Sequence, residues 1–164
     1  MPARPITFRH EVTPTDAALV RELVVSTGVF AAAEIEVAVE LVQERLAKGE
    51  PSGYYFVFAE QGGRTVGYAC YGPIACTVGS FDLYWIAVDR VCQGQGLGRL
   101  LIAECERLIS AQAGRHIYIE TSNRPQYAPT RGFYLRCDYS QAAVFDDFYA
   151  PGDAKVVYCK RLAP

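Results

Sequence analysis

The stretch Asp82-Leu83-Tyr84-Trp85-Ile86-Ala87-Val88 and the glycine turn Gln93-Gly94-Gln95-Gly96-Leu97-Gly98 decide the fold of this 164-residue chain. The first stretch is apolar with a single charge, which is typical of a central strand. The residues after the turn predict a long helix that ends near Gly114, because four of them recur at helical spacing: Leu97, Leu101, Cys105 and Leu108. Since backbone N–H groups at a helix N-terminus favour negative charge, the turn is a candidate phosphate site.

Two helices are predicted upstream, after a first strand at Pro5–Arg9. Thr13-Pro14-Thr15-Asp16 combines an N-cap hydroxyl, a proline at the first helical position and an acid three residues after the cap. A helix is therefore expected to begin there and to end at Gly28. A second helix is expected to end at Gly49, because its apolar residues recur on one face: Ile35, Val39, Val42 and Leu46.

The remaining segments predict strands and one short helix. An antiparallel hairpin is expected from two aromatic and β-branched runs, Tyr54–Ala59 and Thr65–Tyr71, around a glycine turn. Downstream of the long helix we expect a strand at His116–Thr121, a short helix around Thr130–Arg136 and two strands flanking Pro151-Gly152-Asp153. The fold class is therefore mixed α/β.

The composition limits the classes of function. The chain is 51% hydrophobic and 21% charged with a net charge of −2, so we predict one globular domain over residues 1–164 and no nucleic-acid partner. No signal peptide or 20-residue apolar run is present, which predicts a cytoplasmic protein that does not bind membranes. The six cysteines are scattered and the two histidines are isolated, which predicts free thiols and no metal site.

Three interpretations of the glycine turn follow from the residues alone. A Walker P-loop is disfavoured because no lysine follows the glycines. A nicotinamide-dinucleotide site has some support from Glu120 at the end of the next strand, but the spacing Gly94-x-Gly96-x-Gly98 differs from Gly-x-Gly-x-x-Gly. A helix entry without any ligand is the third interpretation.

The chain resembles the GCN5-related N-acetyltransferase (GNAT) superfamily. Gln93, Gly96 and Gly98 match the signature Gln/Arg-x-x-Gly-x-Gly/Ala, and Trp85–Asp89 is similar to the strand before it. Gly132–Tyr139 resembles the late motif Phe-Tyr-x-Lys-x-Gly-Phe, with Asp138 at the glycine position; aspartate tolerates the left-handed conformation. The resemblance implies about four helices around a mixed, mostly antiparallel sheet that is splayed between its middle strands.

The resemblance also implies acetyl-CoA as co-substrate and assigns residues to its binding. Tyr127 replaces an asparagine that many members carry, and Asn123 is taken as a stand-in. The implied cofactor-binding residues lie on the strand, in the turn and after the next strand: Ile86, Ala87, Val88, Gln93, Gly94, Gln95, Gly96, Leu97, Gly98, Arg99 and Asn123.

Acetyl transfer to an amine needs a proton donor for the leaving thiolate and a base for the incoming ammonium. The resemblance implies that Tyr134 is the general acid, although a tyrosine packed in the core is the alternative. Strand alternation puts Asp82 and Tyr84 on one face, so Asp82 is the first candidate base, or else an ordinary strand-start residue. Glu120 on the neighbouring strand is the second candidate.

The acceptor is predicted to be a primary amine, carried by a small molecule or by a protein. The candidate substrate-binding residues are acidic or aromatic, although each of them also suits a solvated surface or aromatic packing: Glu34, Tyr84, Asp147 and Tyr149. We therefore predict an acetyl-CoA-dependent N-acetyltransferase, with a homodimer as an open option. A catalytically silent acyl-CoA sensor and a nicotinamide-binding oxidoreductase are the alternatives.

Overall fold

The computed structural model describes residues 4–164. Within them the chain forms seven strands and four α-helices, which confirms the predicted α/β class. The strands are β1 (Ile6–Arg9), β2 (Tyr55–Gln61), β3 (Arg64–Pro73), β4 (Ser80–Val88), β5 (His116–Ser122), β6 (Ser140–Ala150) and β7 (Asp153–Arg161). The helices are α1 (Asp16–Thr27), α2 (Ala32–Lys48), α3 (Leu97–Ala111) and α4 (Ala128–Arg136). In this described part of the chain, no helix is both long and apolar enough to cross a membrane.

The strand order is β1-β2-β3-β4-β5-β7-β6, with β4 in the central position that its apolar sequence predicts. β4 and β5 are parallel, while β1 with β2, β2 with β3, β5 with β7 and β6 with β7 are antiparallel. The sheet is therefore mixed and mostly antiparallel, as the family resemblance implies.

The backbone contacts divide the chain into two compact units, to both of which β4 and α3 contribute. The N-terminal unit contains the described residues through Gly72 together with Trp85–Cys105. The C-terminal unit contains Pro73–Tyr84 and Glu106–Pro164. The single domain expected from the chain length stays a prediction.

The core of the N-terminal unit is formed by α1, α2 and the predicted β2–β3 hairpin. Phe56 faces Cys70 and Phe58 faces Tyr68 across the two strands, so all four side chains lie on one face of the sheet. They are buried against apolar residues of the two helices, which include Val20, Leu23, Val24, Ala38 and Val42. The apolar faces predicted for α1 and α2 therefore pack against this face of the sheet.

The start of α1 agrees with the predicted capping pattern. The carboxylate of Asp16 accepts the Thr13 backbone N–H at 2.7 Å and is also held by Arg9 at 2.9 Å, with the regular helix beginning at Asp16 after a turn at residues 14–15. One detail of the helices differs from the sequence prediction. On α2, Leu46 is exposed and Ala38 is buried, since Leu46 lies one turn beyond the packed part of the helix.

The C-terminal unit is built on the first half of β4 with β5, β7 and β6. One face of these strands is buried and includes Phe81, Leu83, Ile117, Ile119, Val156 and Tyr158. The parallel register between β4 and β5 covers only Ser80↔His116 to Asp82↔Tyr118, although β5 continues to Ser122. The pairing between the two strands therefore ends at Tyr118, four residues before the end of β5.

The end of α4 confirms the expectation for Asp138. This residue adopts a left-handed conformation with φ of 67°, the conformation for which the family uses glycine. The backbone N–H of the next residue, Tyr139, donates to the Tyr134 carbonyl at 3.1 Å and closes the helix end. The late segment therefore keeps its helix stop without a glycine.

Candidate functional site

Hydrogen bonds and one ion pair hold the turn that joins β4 to α3. Asp89 accepts the backbone N–H of Val91 at 3.1 Å and is ion-paired with Arg64, while its own N–H donates to the Val66 carbonyl at 2.9 Å. The side-chain amide of Gln93 donates to the Val88 carbonyl at 3.1 Å. The signature glutamine therefore fastens the turn to the end of the strand.

The glycines of the turn expose the backbone at the start of α3. Gly94 and Gly96 have φ of 76° and 80°, and a Cβ added at either would meet no atom within 4 Å. The first helical hydrogen bond runs from the Leu100 N–H to the Gly96 carbonyl at 3.1 Å, and the preceding N–H groups of a helix have no intrahelical acceptor. This open, glycine-lined helix start fits a pyrophosphate group.

The other cofactor-binding candidates of the N-terminal unit lie in this turn or next to it. Leu97 is buried and anchors the first turn of α3, whereas Gln95 and Arg99 are exposed. Gly98 lies within the first turn of α3. On β4, Ala87 is buried and the flanking Ile86 and Val88 are half-buried.

A second cluster of candidates lies on the half-buried face of the C-terminal unit. Asp82 is opposite Tyr118 of β5, and Glu120 lies two residues further along that strand, so both acids share a face. Ser122 is opposite Lys155, which is in turn opposite Phe145. The register therefore places Asp82, Glu120, Lys155 and Phe145, from four strands, on one face. We call this the acidic face.

Lys155 organises the charges of the acidic face. Its ammonium nitrogen lies 3.0 Å from Glu120 Oε1 and 4.2 Å from the ring centroid of Phe148. The lysine side chain is 15% exposed and that of Glu120 is 50% exposed, so the pair lies at the edge of the solvent. No local sequence pattern identifies Lys155. Only the β5–β7 and β6–β7 registers bring it to these partners.

Asp82 has the properties of a proton acceptor near neutral pH. Burial, reinforced by the negative charge of Glu120 and opposed by the ammonium of Lys155, raises the pKa of Asp82 from 3.8 to about 6. A carboxylate with this pKa is mostly ionised at pH 7 and is more basic than an exposed aspartate.

Tyr134 lies in a cluster of aromatic rings inside the C-terminal unit. Its ring centroid is 5.8 Å from that of Tyr158 and 6.3 Å from that of Tyr139. Burial, with contributions from the nearby Cys137 and Tyr158, raises the pKa of the Tyr134 phenol well above its ordinary value. The phenol therefore keeps its proton at neutral pH and is a weaker acid than an exposed tyrosine, and its role as general acid stays a prediction.

Three predicted site residues have structural partners. Glu34 accepts the Ala31 backbone N–H at 2.7 Å and caps α2. Asn123 Oδ1 accepts the Ala154 N–H at 2.9 Å, and Asp147 Oδ1 accepts the Gly152 N–H at 2.7 Å. Their roles in binding substrate or cofactor stay predictions, as do those of the exposed Tyr84 and Tyr149.

The cysteines carry no disulfide: all six are free thiols, as predicted, and all lie within residues 4–164. Over the same residues, no group of three or more His, Cys, Asp or Glu side chains is arranged to hold a metal ion.

Residues 51–141, more than half of the chain, match the family described as the acetyltransferase (GNAT) domain. Among solved structures, a GNAT-family protein from Desulfovibrio desulfuricans is 48% identical to this chain. That similarity covers 97% of this chain and 100% of the other, with a TM-score of 0.95.

Two more distant solved structures share the fold. An aminoglycoside 6'-N-acetyltransferase complexed with coenzyme A is 15% identical, with 98% of each chain covered and a TM-score of 0.75. The ribosomal-protein-S18-alanine N-acetyltransferase from Escherichia coli is 16% identical, with 98% of this chain and 96% of that chain covered and a TM-score of 0.78. At these identities the likeness concerns the fold alone. Among curated proteins, none matches the chain in sequence.

Proposed function

The chain belongs to the GNAT acetyltransferases, and from this premise we propose that it transfers an acetyl group from acetyl-CoA to a primary amine by direct attack. The observation that carries the proposal is the position of Asp82, a half-buried carboxylate that the β4–β5 register places on the same face as Glu120, where its pKa is raised to about 6. Most primary amines are protonated at neutral pH, so the reaction needs a base that removes a proton from the acceptor ammonium.

In the proposed reaction Asp82 accepts a proton from the acceptor ammonium, directly or through a water. Acetyl-CoA supplies the thioester whose carbonyl carbon the free amine attacks. Tyr134 donates its phenolic proton as the carbon–sulfur bond breaks, so the thiol leaves neutral, and the second proton that the new amide nitrogen loses returns to the phenolate. Glu120 is the second candidate for the base, but its carboxylate already pairs with Lys155 at 3.0 Å.

The glycine turn supports the coenzyme part of the proposal. Gly94 and Gly96 leave the backbone N–H groups at the start of α3 open, and backbone donors at a helix start bind phosphate oxygens with the help of the helix dipole. Arg99, exposed in the first turn of α3, adds positive charge near the same groups. These features suit the pyrophosphate of coenzyme A.

The test is an assay of thiol release from acetyl-CoA with a panel of primary amines, using the wild type, Tyr134→Phe and Tyr158→Phe. The last variant is the matched control, because it removes a hydroxyl from the neighbouring ring of the same cluster. We expect Tyr134→Phe to bind CoA normally and to lose about 10²-fold or more in turnover, while Tyr158→Phe stays active.

Two results would replace the proposal by one of its alternatives. If the wild type binds acetyl-CoA tightly and acetylates no amine of the panel, the chain is an acyl-CoA sensor. If the protein changes NADH fluorescence and does not bind CoA, the glycine turn serves a nicotinamide dinucleotide.

A further inference from the structure

The hairpin between β6 and β7 contains an irregular bulge next to the acidic face. Phe145 pairs with Lys155 and Ala150 pairs with Asp153, so the four residues 146–149 lie opposite Ala154 alone. Asp147 adopts a left-handed conformation with φ of 54°, and its carboxylate accepts the Gly152 N–H at 2.7 Å. Bulges of this kind redirect side chains and are common beside active sites.

Three aromatic side chains lie in or beside the bulge, and the middle one, Phe148, contacts the other two. Phe148 lies 6.4 Å from Phe145 and 5.1 Å from Tyr149 between ring centroids, the latter pair edge to face. The three residues are 50%, 54% and 48% exposed in chain order, on the last strand of the sheet. A group of exposed rings at this position marks a surface that binds something apolar. We call it the aromatic bulge.

The aromatic bulge is continuous with the acidic face. The ring of Phe148 lies 4.2 Å from the Lys155 ammonium nitrogen, which is paired with Glu120. Phe145 is opposite Lys155 and therefore points to the same side of the sheet as Glu120 and Asp82. Rings and carboxylates thus form one surface with both apolar and negative character.

We infer that the aromatic bulge binds the body of the acceptor, and that the acceptor is a small amine carrying an aromatic ring. This inference rests on the proposed acetyl transfer. The ammonium of such an amine is directed to Asp82, and its ring packs against Phe148. Aromatic pairs favour offset or edge-to-face contacts at 4.5–7 Å, and the Phe148 side chain is 54% exposed.

Other classes of amine fit this surface less well. A linear polyamine and an aminoglycoside carry no aromatic ring, so neither gains the ring–ring contact that the exposed rings of the bulge offer. The carboxylates of Asp82 and Glu120, together with Asp146 and Asp147 in the bulge, outnumber the one ammonium of Lys155 and attract any of these cations. The rings, and not the charges, therefore favour the aromatic amine.

The experiment compares 2-phenylethylamine, n-butylamine, spermidine and kanamycin as acceptors for the wild type, Phe148→Ala and Val144→Ala. Val144 is the matched control, because it lies on the same strand at 46% exposure but faces the other side, opposite Val156. We expect kcat/KM to be highest for 2-phenylethylamine. Phe148→Ala should raise the KM for 2-phenylethylamine roughly 3- to 10-fold and leave the KM for n-butylamine and the affinity for CoA nearly unchanged. Val144→Ala should change none of these values.

Each contrary result has a distinct meaning. If spermidine or kanamycin is the best acceptor and Phe148→Ala changes no KM, the inference is wrong while acetyl transfer stands. If sedimentation shows a dimer that Phe148→Ala dissociates without a change in KM, the aromatic bulge is an interface between two copies of the chain. If no amine is acetylated, the proposed function fails and the inference fails with it.

Discussion

The glycine turn and the acidic face are organised in opposite ways. The turn is one contiguous segment, residues 93–98, and its candidate ligand groups are backbone N–H groups at the start of α3. The acidic face collects side chains from β4, β5, β6 and β7, which are brought together by strand register. A backbone site depends on conformation and open space, whereas a side-chain site depends on the identity and protonation of each group.

This contrast determines how each region responds to substitution. A conservative replacement on the acidic face should change chemistry and leave coenzyme binding intact. A bulky replacement in the turn should do the reverse, because it fills the space that the glycines leave open.

The largest expected effect is on the acidic face. Asp82→Asn removes the proposed base and should lower kcat/KM for a primary amine about 10²- to 10⁴-fold at pH 7. Raising the pH should restore much of the loss, since the free amine then accumulates without a base. In the wild type, kcat/KM should fall as the pH drops below about 6, because Asp82 becomes protonated there. A pH–rate profile of both proteins measures these effects.

The control for this prediction is Glu120→Gln, which alters the other carboxylate of the same face. CoA affinity must stay near the wild-type value in both variants. If Asp82→Asn is nearly silent and Glu120→Gln has the defect that high pH restores, the base lies on β5 and Asp82 is a structural residue.

The next effect concerns the turn. Gly96→Glu places a bulky carboxylate where the pyrophosphate is expected and should weaken CoA binding by about 100-fold or more in a calorimetric titration. Gly63→Glu is a closely matched control, since Gly63 also has φ of 80° and no atom within 4 Å of an added Cβ. The two variants share the same backbone strain, so a difference in CoA affinity between them measures the effect of the new side chain on coenzyme binding alone. Equal affinities would remove the turn from the coenzyme site.

The two regions also differ in what the sequence could predict. The turn, the helix spacing after it and the left-handed Asp138 depend on local residues, and these predictions agree with the structure. Strand alternation also put Asp82 on the correct half-buried face. Lys155 could not be identified, because its partners Glu120 and Phe148 come from other strands and the bulge at 146–149 sets the position of Phe148.

The start of α1 shows both kinds of contact. The local capping pattern predicted that Asp16 meets Thr13, and the Asp16 carboxylate accepts the Thr13 N–H at 2.7 Å. The ion pair of the same carboxylate with Arg9 could not be predicted, because Arg9 belongs to β1 and only the fold brings it to the start of α1. Local patterns predicted which residues interact with their chain neighbours, and contacts between distant segments decided the remaining details.

The smallest predicted effect concerns stability. Asp82→Asn should lower the activity but raise the free energy of unfolding. The folded state raises the pKa of Asp82 from 3.8 to about 6, so it binds more protons than the unfolded state between these pH values. The free energy of unfolding contributed by this group therefore falls as the pH rises from about 4 to about 6, and the penalty stays at higher pH. The full shift corresponds to about 3 kcal/mol, but Asp82 is only half-buried and solvent screening reduces this to about 1 kcal/mol. Asp82→Asn should thus be about 1 kcal/mol more stable than the wild type in urea unfolding at pH 7.5 and equal to it near pH 4. A variant that is less stable at pH 7.5 would indicate that the carboxylate supports the fold, and the loss of activity would then need a structural explanation.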